Sequence, residues 1–307
     1  MADSTVTRGS TLGVWLQAVR AFSFPASIVP VAVGTVMAAR YDGPAAWWLV
    51  PFVAVASVLM HAATNLVSDY FDFRKGVDRN YTYGSSGVLV QGLLTPRQVL
   101  VGGFVLFGVA CAVGVLFVAV RGWPILALGL LGVIGGIFYT ARPVGYKYFA
   151  LGDALVFTQM GPLMVIGSYY VLTGSYSHAV LIASIPVGCL VAAILHANNM
   201  RDIQHDREAH VRTVANLLGH EGARVEYYVL VGGAYVAVVA MILGGLLSLW
   251  ALLVFVTAPL AVKNVDRVRH SQPREPEAIA TLDVQTAQLH LAFGLLLSLG
   301  ILLGSLL

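Results

Sequence analysis

Charged residues are scarce in this chain. Only 11% of its 307 residues are Asp, Glu, Lys or Arg, whereas 58% are hydrophobic, and the mean hydropathy is +0.81. Because soluble domains carry roughly 25% charged residues, this deficit excludes an ordinary water-exposed fold. Most of the surface is therefore expected to face lipid.

Cysteine is nearly absent as well. Cys111 and Cys189 both lie inside apolar runs, which predicts buried apolar side chains rather than a disulfide or a metal site. The net charge is only +3, and no basic stripe is interleaved with aromatic residues, so nucleic acid is not an expected partner. The polar segment 1–10 and the length of the first apolar run argue against a cleavable signal peptide.

The apolar residues form nine runs, and a helix needs about 20 such residues to cross a bilayer. We therefore predict an all-α, polytopic membrane protein in which residues 1–307 form a single transmembrane domain. Residues 1–22 are predicted to be an N-terminal segment at the membrane interface. The predicted spans are 23–40, 47–67, 98–119, 123–140, 150–172, 178–197, 226–246, 248–262 and 287–307.

The distribution of basic residues supports this count. With a cytoplasmic N-terminus, 16 of the 18 Lys and Arg residues fall on the cytoplasmic side, and only Arg40 and Arg121 fall on the other. Cytoplasmic loops of membrane proteins are enriched in these residues. The pattern predicts a multi-pass protein of the cell (inner) membrane, with the N-terminus and the loops after spans 2 and 6 in the cytoplasm.

Two acidic motifs of similar pattern end spans 2 and 6. They are Asn-x₃-Asp-x₂-Asp at Asn65, Asp69 and Asp72, and Asn-x₃-Asp-x₃-Asp at Asn198, Asp202 and Asp206. Residues three or four apart share a helix face, and paired carboxylates raise each other's pKa unless a cation lies between them. Since Mg²⁺ is typically held by one or two carboxylates plus substrate phosphates, the motifs predict a magnesium–diphosphate site.

The predicted metal ligands are the carboxylates of both motifs and one amide: Asp69, Asp72, Asp202, Asp206 and Asn65. The same four aspartates are the predicted catalytic residues, because the ions that they hold would neutralise a leaving diphosphate. Nearby basic, amide and phenol groups are predicted to bind the substrate: Asn65, Arg74, Lys75, Arg79, Tyr139, Tyr146, Lys147, Asn198, Asn199, Arg201 and Arg212.

These motifs resemble the signature loops of the UbiA-type superfamily of intramembrane aromatic prenyltransferases. The similarity runs from about residue 20 to 260 and includes Gly152-Asp153 and Gly161-Pro162. The segment from Asp69 to Asp78 looks most like the menaquinone branch, which prenylates 1,4-dihydroxy-2-naphthoate. The resemblance implies a nine-helix bundle and Mg²⁺-assisted ionisation of a polyprenyl diphosphate. It also implies attack by the ring and loss of its carboxylate as CO₂, which gives demethylmenaquinone.

Alternatives stay open at this point. The same site would serve another acceptor, such as 4-hydroxybenzoate, another quinone precursor, haem or a lipid, or a terpene cyclase that needs no acceptor. A secondary transporter is the alternative of a different class, although transporter sites usually lie at the bilayer midplane. His61, His196 and Asp153 are further candidates of undecided role, and the segment 84–87 is either a closing loop or a plain connector.

Overall fold

The computed structural model describes residues 10–41, 43–78 and 84–306, which fold into a bundle of helices. The α-helices are α1 Thr11–Ala18, α2 Pro25–Ala38, α3 Val50–Lys75, α4 Pro96–Arg121, α5 Trp123–Phe138, α6 Gly152–Thr158, α7 Met164–Thr173, α8 His178–Ala183, α9 Ile185–Arg201, α10 Ile203–Glu208, α11 Val214–Leu243, α12 Ala258–His270 and α13 Leu282–Leu306. A π-helical turn, Gln159–Leu163, joins α6 to α7. The 3₁₀ segments are Ala21–Ser23, Trp47–Leu49, Tyr146–Tyr148, Leu249–Thr257 and Pro276–Ile279.

Nine stretches of the described chain are candidates to cross the bilayer. Eight are helices of at least 18 residues with apolar composition, and α5 is a ninth, shorter apolar helix of 16 residues. Several spans are composite. For example, α6 continues through the π-helical turn into α7, α8 is followed directly by α9, and the 3₁₀ segment Leu249–Thr257 continues into α12. The predicted all-α membrane class is confirmed.

Two of the predicted boundaries are wrong at the end of the bundle that carries the motifs. Helix α3 continues to residue 75, so Asp69 and Asp72 lie inside it rather than after it. Helix α11 begins at residue 214, twelve positions before the predicted apolar run, where Thr213 and Asn216 form a capping box. Polar helical turns that project from the membrane leave no trace in a hydropathy pattern.

The outer surface of the bundle is covered by large exposed apolar side chains, as expected for contact with lipid. Examples are Val101, Phe104, Val105, Val115, Leu130, Leu131, Val229 and Val236. Cys111 is also exposed, so its predicted burial is wrong, whereas Cys189 is partly buried; both are free thiols. An apolar position in a membrane helix faces either lipid or protein, and composition alone does not distinguish the two.

Arg40 and Arg121 lie at the end of the bundle opposite the acidic motifs. Arg40 Nη1 donates to the Leu246 carbonyl at 2.7 Å, and Arg121 Nε donates to the Val171 carbonyl at 2.7 Å. Both guanidinium groups therefore satisfy carbonyls at the ends of other helices. Their common position agrees with the alternation of spans that the basic residues predict.

Close helix packing depends on glycine at a few positions. A Cβ atom on Gly161 would lie 2.6 Å from the Gly188 Cα, and a Cβ atom on Gly294 would lie 2.1 Å from the Val29 Cγ1. Small residues allow membrane helices to approach this closely. The contact at Gly161 places the turn between α6 and α7 directly against α9, the helix that carries the second motif.

Replacing Gly161 by Ala is expected to destabilise the protein by about 1–3 kcal/mol, because the added methyl group overpacks the contact with Gly188. Gly167→Ala is the matched control, since a Cβ atom there meets no other atom within 4 Å. Denaturant unfolding in detergent measures both variants. Equal unfolding midpoints for the two would contradict the close contact.

Candidate active site

A cavity of about 590 Å³ enters the bundle among α3, α4, α5, α7 and α9. Its walls are mainly apolar and include Phe117, Leu128, Met160 and Met164. The end nearest the acidic motifs is polar and is lined by Arg20, Asn65, Ser68, Tyr139, Lys147, Asn198 and Asp283. The cavity therefore suits a molecule with a polar head and a long apolar tail.

The cavity reaches the lipid-facing surface of the bundle between α4 and α5. Cys111 and Val115 on α4 and Leu126 and Leu130 on α5 line the cavity, and all four are exposed. Side chains that are at once cavity wall and outer surface mark an opening. A hydrophobic tail has access to the cavity here without crossing water.

Asp69 of the first motif is held by two segments outside its own helix. Its side chain is only 2% exposed, and the Arg20 guanidinium donates to its Oδ1. The Ser86 backbone N–H donates to Oδ2 at 3.2 Å, and the Ser86 hydroxyl donates to the same oxygen. Because Gln17 Nε2 also donates to the Ser86 carbonyl at 2.8 Å, helix α1 and the segment after α3 converge on this carboxylate.

Asp72 is held from the segment between α5 and α6. Lys147 Nζ donates to its Oδ2 at 2.7 Å, and the Tyr148 hydroxyl donates to its Oδ1 at 2.7 Å. Burial lowers the pKa of Lys147, but the facing Asp72 carboxylate more than offsets this, and the pKa of Lys147 is raised overall. Lys75 lies 3.1 Å above the Tyr148 ring centroid, a cation–π contact that fixes the ring.

The second motif does not lie on one continuous helix, which corrects the predicted shared helical face. The helix breaks at Asp202, where φ is −95° and ψ is 11°. The Asp206 N–H still donates to the Asp202 carbonyl at 2.8 Å, so the two residues remain one turn apart. Arg201 Nε and Nη2 donate to the Asp202 carboxylate at 3.0 and 2.9 Å, and Arg201 Nη1 reaches Asp283 at 3.3 Å.

Asp206 and Asp78 bring further carboxyl groups to this end of the bundle. Burial raises the pKa of Asp206 to about 7, although the Lys147 charge opposes the shift. Burial and the neighbouring Asp72 carboxylate raise the pKa of Asp78 to about 8. The charge of Lys147 acts on Asp72, Asp78 and Asp206, so one ammonium group lies within electrostatic reach of both motifs.

Hydrogen bonds connect the segment around the second motif with the segment after the first motif and with the α5–α6 connection. The Ala150 N–H donates to the Arg212 carbonyl at 2.7 Å, and His205 Nε2 donates to the Val77 carbonyl at 2.6 Å. Ser86 binds Asp69, and a Cβ atom on Gly84 would lie 3.1 Å from the Asp202 Oδ2. The segment 84–86 therefore lies beside both motifs.

Several predicted substrate-binding residues lie away from the cavity wall. Asn199 Nδ2 donates to the Asp153 carboxylate oxygens at 3.3 and 3.5 Å. Arg201 is engaged with Asp202 and Asp283. Arg74 and Arg212 are exposed, Tyr146 is partly buried, and Arg79 lies outside the described residues. Their roles in binding stay predictions.

The sequence analysis missed three side chains that donate hydrogen bonds to the aspartates, namely Arg20, Ser86 and Tyr148. Arg20 and Ser86 were recognisable only as members of an interfacial segment and of a flexible loop. His61 Nδ1 and Nε2 lie 2.9 and 3.2 Å from the Ser27 and Ser23 hydroxyls, so this cavity-lining ring is oriented by α2 and the turn before it.

Removing Lys147 as a Gln variant is expected to destabilise the protein by about 3–5 kcal/mol, because it leaves the buried Asp72 carboxylate without its cation. The double variant with Asp72→Asn is expected to recover most of this loss. The exposed pair Asp266–His270, changed to Asn and Gln, is the control and should change stability by less than about 1 kcal/mol. Unfolding in detergent measures the coupling free energy between Lys147 and Asp72 in this double-mutant cycle. A coupling near zero would show that the two side chains do not form a stabilising pair.

The comparisons with known proteins agree with these features. Residues 27–286 match the UbiA prenyltransferase family. The 1,4-dihydroxy-2-naphthoate octaprenyltransferase of Bacillus subtilis (strain 168) is 32% identical, over 94% of this chain and 91% of that protein. UbiA prenyltransferase domain-containing protein 1 of Mus musculus is 36% identical, over 94% of this chain and 84% of that protein.

Solved structures share the fold. A UbiA homolog from Aeropyrum pernix K1 in the apo form has a TM-score of 0.67 and 16% identity, covering 93% of this chain and 98% of that one. A UbiA homolog from Archaeoglobus fulgidus bound to GPP and Mg²⁺ has a TM-score of 0.56 and 15% identity, covering 93% and 99%. The family match covers most of the chain, and it confirms the resemblance to the UbiA-type prenyltransferases. This multi-pass membrane protein is a prenyltransferase and belongs to the UbiA prenyltransferase family.

Proposed function

We propose that this enzyme transfers a polyprenyl group from polyprenyl diphosphate to 1,4-dihydroxy-2-naphthoate, in the presence of Mg²⁺ and with loss of the ring carboxylate as CO₂. The product is the prenylated naphthoquinol, the reduced form of demethylmenaquinone. The observation that carries the proposal is the convergence of two acidic motifs beside the polar end of an apolar cavity, which Asn65 and Asn198 of the motifs line. The enzyme would act at the cytoplasmic side of the cell (inner) membrane.

The choice of acceptor rests on two supports. The segment from Asp69 to Asp78 resembles the menaquinone branch of the family. The Bacillus subtilis relative, which matches nearly the whole chain, is a 1,4-dihydroxy-2-naphthoate octaprenyltransferase. The name of the Mus musculus relative states no acceptor, so parallel acceptors belong in the assay below.

The donor atoms fit Mg²⁺. Among the described residues, the four aspartates of the motifs form no cluster of three ligand atoms within 4.8 Å. Mg²⁺ usually takes one or two carboxylates and completes its shell with substrate phosphates and water, so a substrate diphosphate suits this open arrangement. Asp69, Asp72, Asp202 and Asp206, with Asn65, would hold the ions, whose chemistry is to neutralise the diphosphate as it leaves.

Two basic side chains at the polar end of the cavity are candidates to bind the diphosphate. Arg20 and Lys147 line the cavity and neutralise Asp69 and Asp72. With ions at these carboxylates, both side chains would be available to bind the phosphate oxygens. Burial raises the pKa of Tyr139 to about 12, so its neutral hydroxyl remains a hydrogen-bond donor at the same end of the cavity.

The apolar walls serve the second half of the reaction. When the allylic carbon–oxygen bond breaks, the electron pair leaves with the diphosphate and an allylic cation remains. Walls such as Phe117, Leu128 and Met160 exclude water, which would otherwise hydrolyse the cation. The electron-rich ring then forms the new carbon–carbon bond. CO₂ departs, and the electrons of its bond return to the ring.

Purified protein is expected to convert 1,4-dihydroxy-2-naphthoate and a polyprenyl diphosphate to the prenylated, decarboxylated naphthoquinol when Mg²⁺ is present. EDTA should abolish the product, because without a metal ion to neutralise its charge the diphosphate is a poor leaving group. Mass spectrometry measures the product, with 4-hydroxybenzoate in a parallel reaction. If a product forms with 4-hydroxybenzoate but not with 1,4-dihydroxy-2-naphthoate, the proposed acceptor is wrong. Turnover that persists in EDTA would refute the metal site.

The double variant Asp69→Ala, Asp202→Ala is expected to lose at least about 1,000-fold in rate, since it removes one carboxylate from each motif and two-metal clamps supply several kcal/mol. The matched control is Glu221→Ala, Asp266→Ala, which removes two exposed carboxylates. Gel filtration and thermal unfolding confirm that both proteins are folded. Normal turnover by the folded motif variant would show that the aspartates do not hold catalytic ions.

A further inference from the structure

A second cluster of possible ligands lies beside the second acidic motif but faces away from the cavity. Asp153 at the start of α6, His196 near the end of α9 and Glu226 in α11 place one ligand atom each within 4.8 Å of the others. His196 Nδ1 lies 3.6 Å from the Asp153 Oδ1 and 3.4 Å from the Glu226 Oε2. Among the described residues, this is the group of three His, Cys, Asp or Glu side chains with ligand-like spacing.

The hydrogen bond on the far side of the ring determines what His196 presents to the carboxylates. Nε2 lies 2.8 Å from the Ala223 carbonyl, which can only accept, so Nε2 carries a proton. The ring is fully buried, and within the described chain Nδ1 has no hydrogen-bond partner. In the neutral imidazole, Nδ1 therefore directs a lone pair between two carboxylates, an arrangement that is repulsive unless a metal ion lies among the three groups or Nδ1 also carries a proton.

The spacing fits a tetrahedral metal ion. Ligands of zinc lie about 2.0–2.1 Å from the ion, which puts neighbouring tetrahedral ligand atoms about 3.3 Å apart. The two observed separations, 3.4 and 3.6 Å, are near this edge length. A divalent ion would also balance the charges of the two carboxylates, because burial of unpaired charges is unfavourable.

The neighbouring groups have the pattern found around metal ligands. A metal-bound imidazole usually donates its other N–H to a carbonyl or carboxylate, and His196 donates to Ala223. Ligating carboxylates are in turn hydrogen-bonded, and Asn199 donates to both oxygens of Asp153. Asn199 therefore binds Asp153, whereas its sequence neighbour Asn198 lines the cavity.

We propose that Asp153, His196 and Glu226 bind one zinc ion, with a water molecule as the fourth ligand. The ion links α6, α9 and α11 immediately behind the second acidic motif. It is separate from the ions at the aspartates, because nitrogen and carboxylate ligands in tetrahedral spacing suit zinc, whereas Mg²⁺ favours oxygen in octahedral geometry. The proposal does not depend on the identity of the aromatic acceptor.

The test uses purified full-length protein without an affinity tag, stripped with a chelator and reconstituted with Zn²⁺ alone. Elemental analysis is expected to find one zinc per chain after gel filtration. X-ray absorption should show only nitrogen and oxygen ligands at about 2.0–2.1 Å. No bound zinc, or a spectrum with sulfur ligands, overturns the proposal without recourse to any variant.

Variants then locate the ion. Glu226→Gln should lower zinc affinity at least tenfold, whereas Glu221→Gln, which changes an exposed residue of the same helix, should leave it unchanged. Asn199→Ala should weaken binding by about 10–100-fold, the usual effect of losing a hydrogen bond to a ligand. Undiminished binding by a folded Glu226→Gln protein would refute the site.

A last variant separates this site from the diphosphate site. Asp69→Ala, Asp202→Ala is expected to retain one zinc per chain, because neither residue belongs to the cluster. Loss of zinc from that protein would mean that the ion sits at the acidic motifs instead. Retention of zinc together with loss of turnover supports two independent metal sites.

Discussion

The polar end of this bundle depends on neutralising carboxylates that are almost completely buried. Asp69 and Asp72 are 2% and 1% exposed, and an unpaired charge at such depth is strongly unfavourable. On their own helix the Ser68 hydroxyl donates to Asp72 at 3.4 Å, but the cations paired with the two carboxylates come from other segments. Arg20 lies before α2 and Lys147 before α6. These two pairings draw the interfacial segment and the α5–α6 connection onto one end of α3.

The remaining helices are positioned by a different kind of contact. Within the bilayer there is no hydrophobic gain from moving an apolar side chain from lipid to protein, so close packing of small residues takes its place. Gly161 against Gly188 is such a contact, and it sets the position of α9. The active end therefore combines charge pairing at its rim with tight packing beneath it.

The fold class and the helix count were readable from sequence because lipid imposes a simple rule on length and composition. The helix ends were not, because the last turns of α3 and the first turns of α11 are polar and look like loop. The partners of the aspartates were also hidden. Arg20 and Asp69 are 49 positions apart, and Lys147 and Asp72 are 75 apart, so only tertiary structure joins them. Asn198 and Asn199 show the same limit, since neighbours on a helix point in different directions.

The gap between α4 and α5 has a consequence for the length of the isoprenoid. A cavity that ends in a closed wall works as a ruler, and the tail must fit within it. Here Val115 and Leu130 line both the cavity and the outer surface, so a long chain continues into the bilayer among the lipid tails. Such an open wall would place no upper limit on the number of isoprene units in the donor.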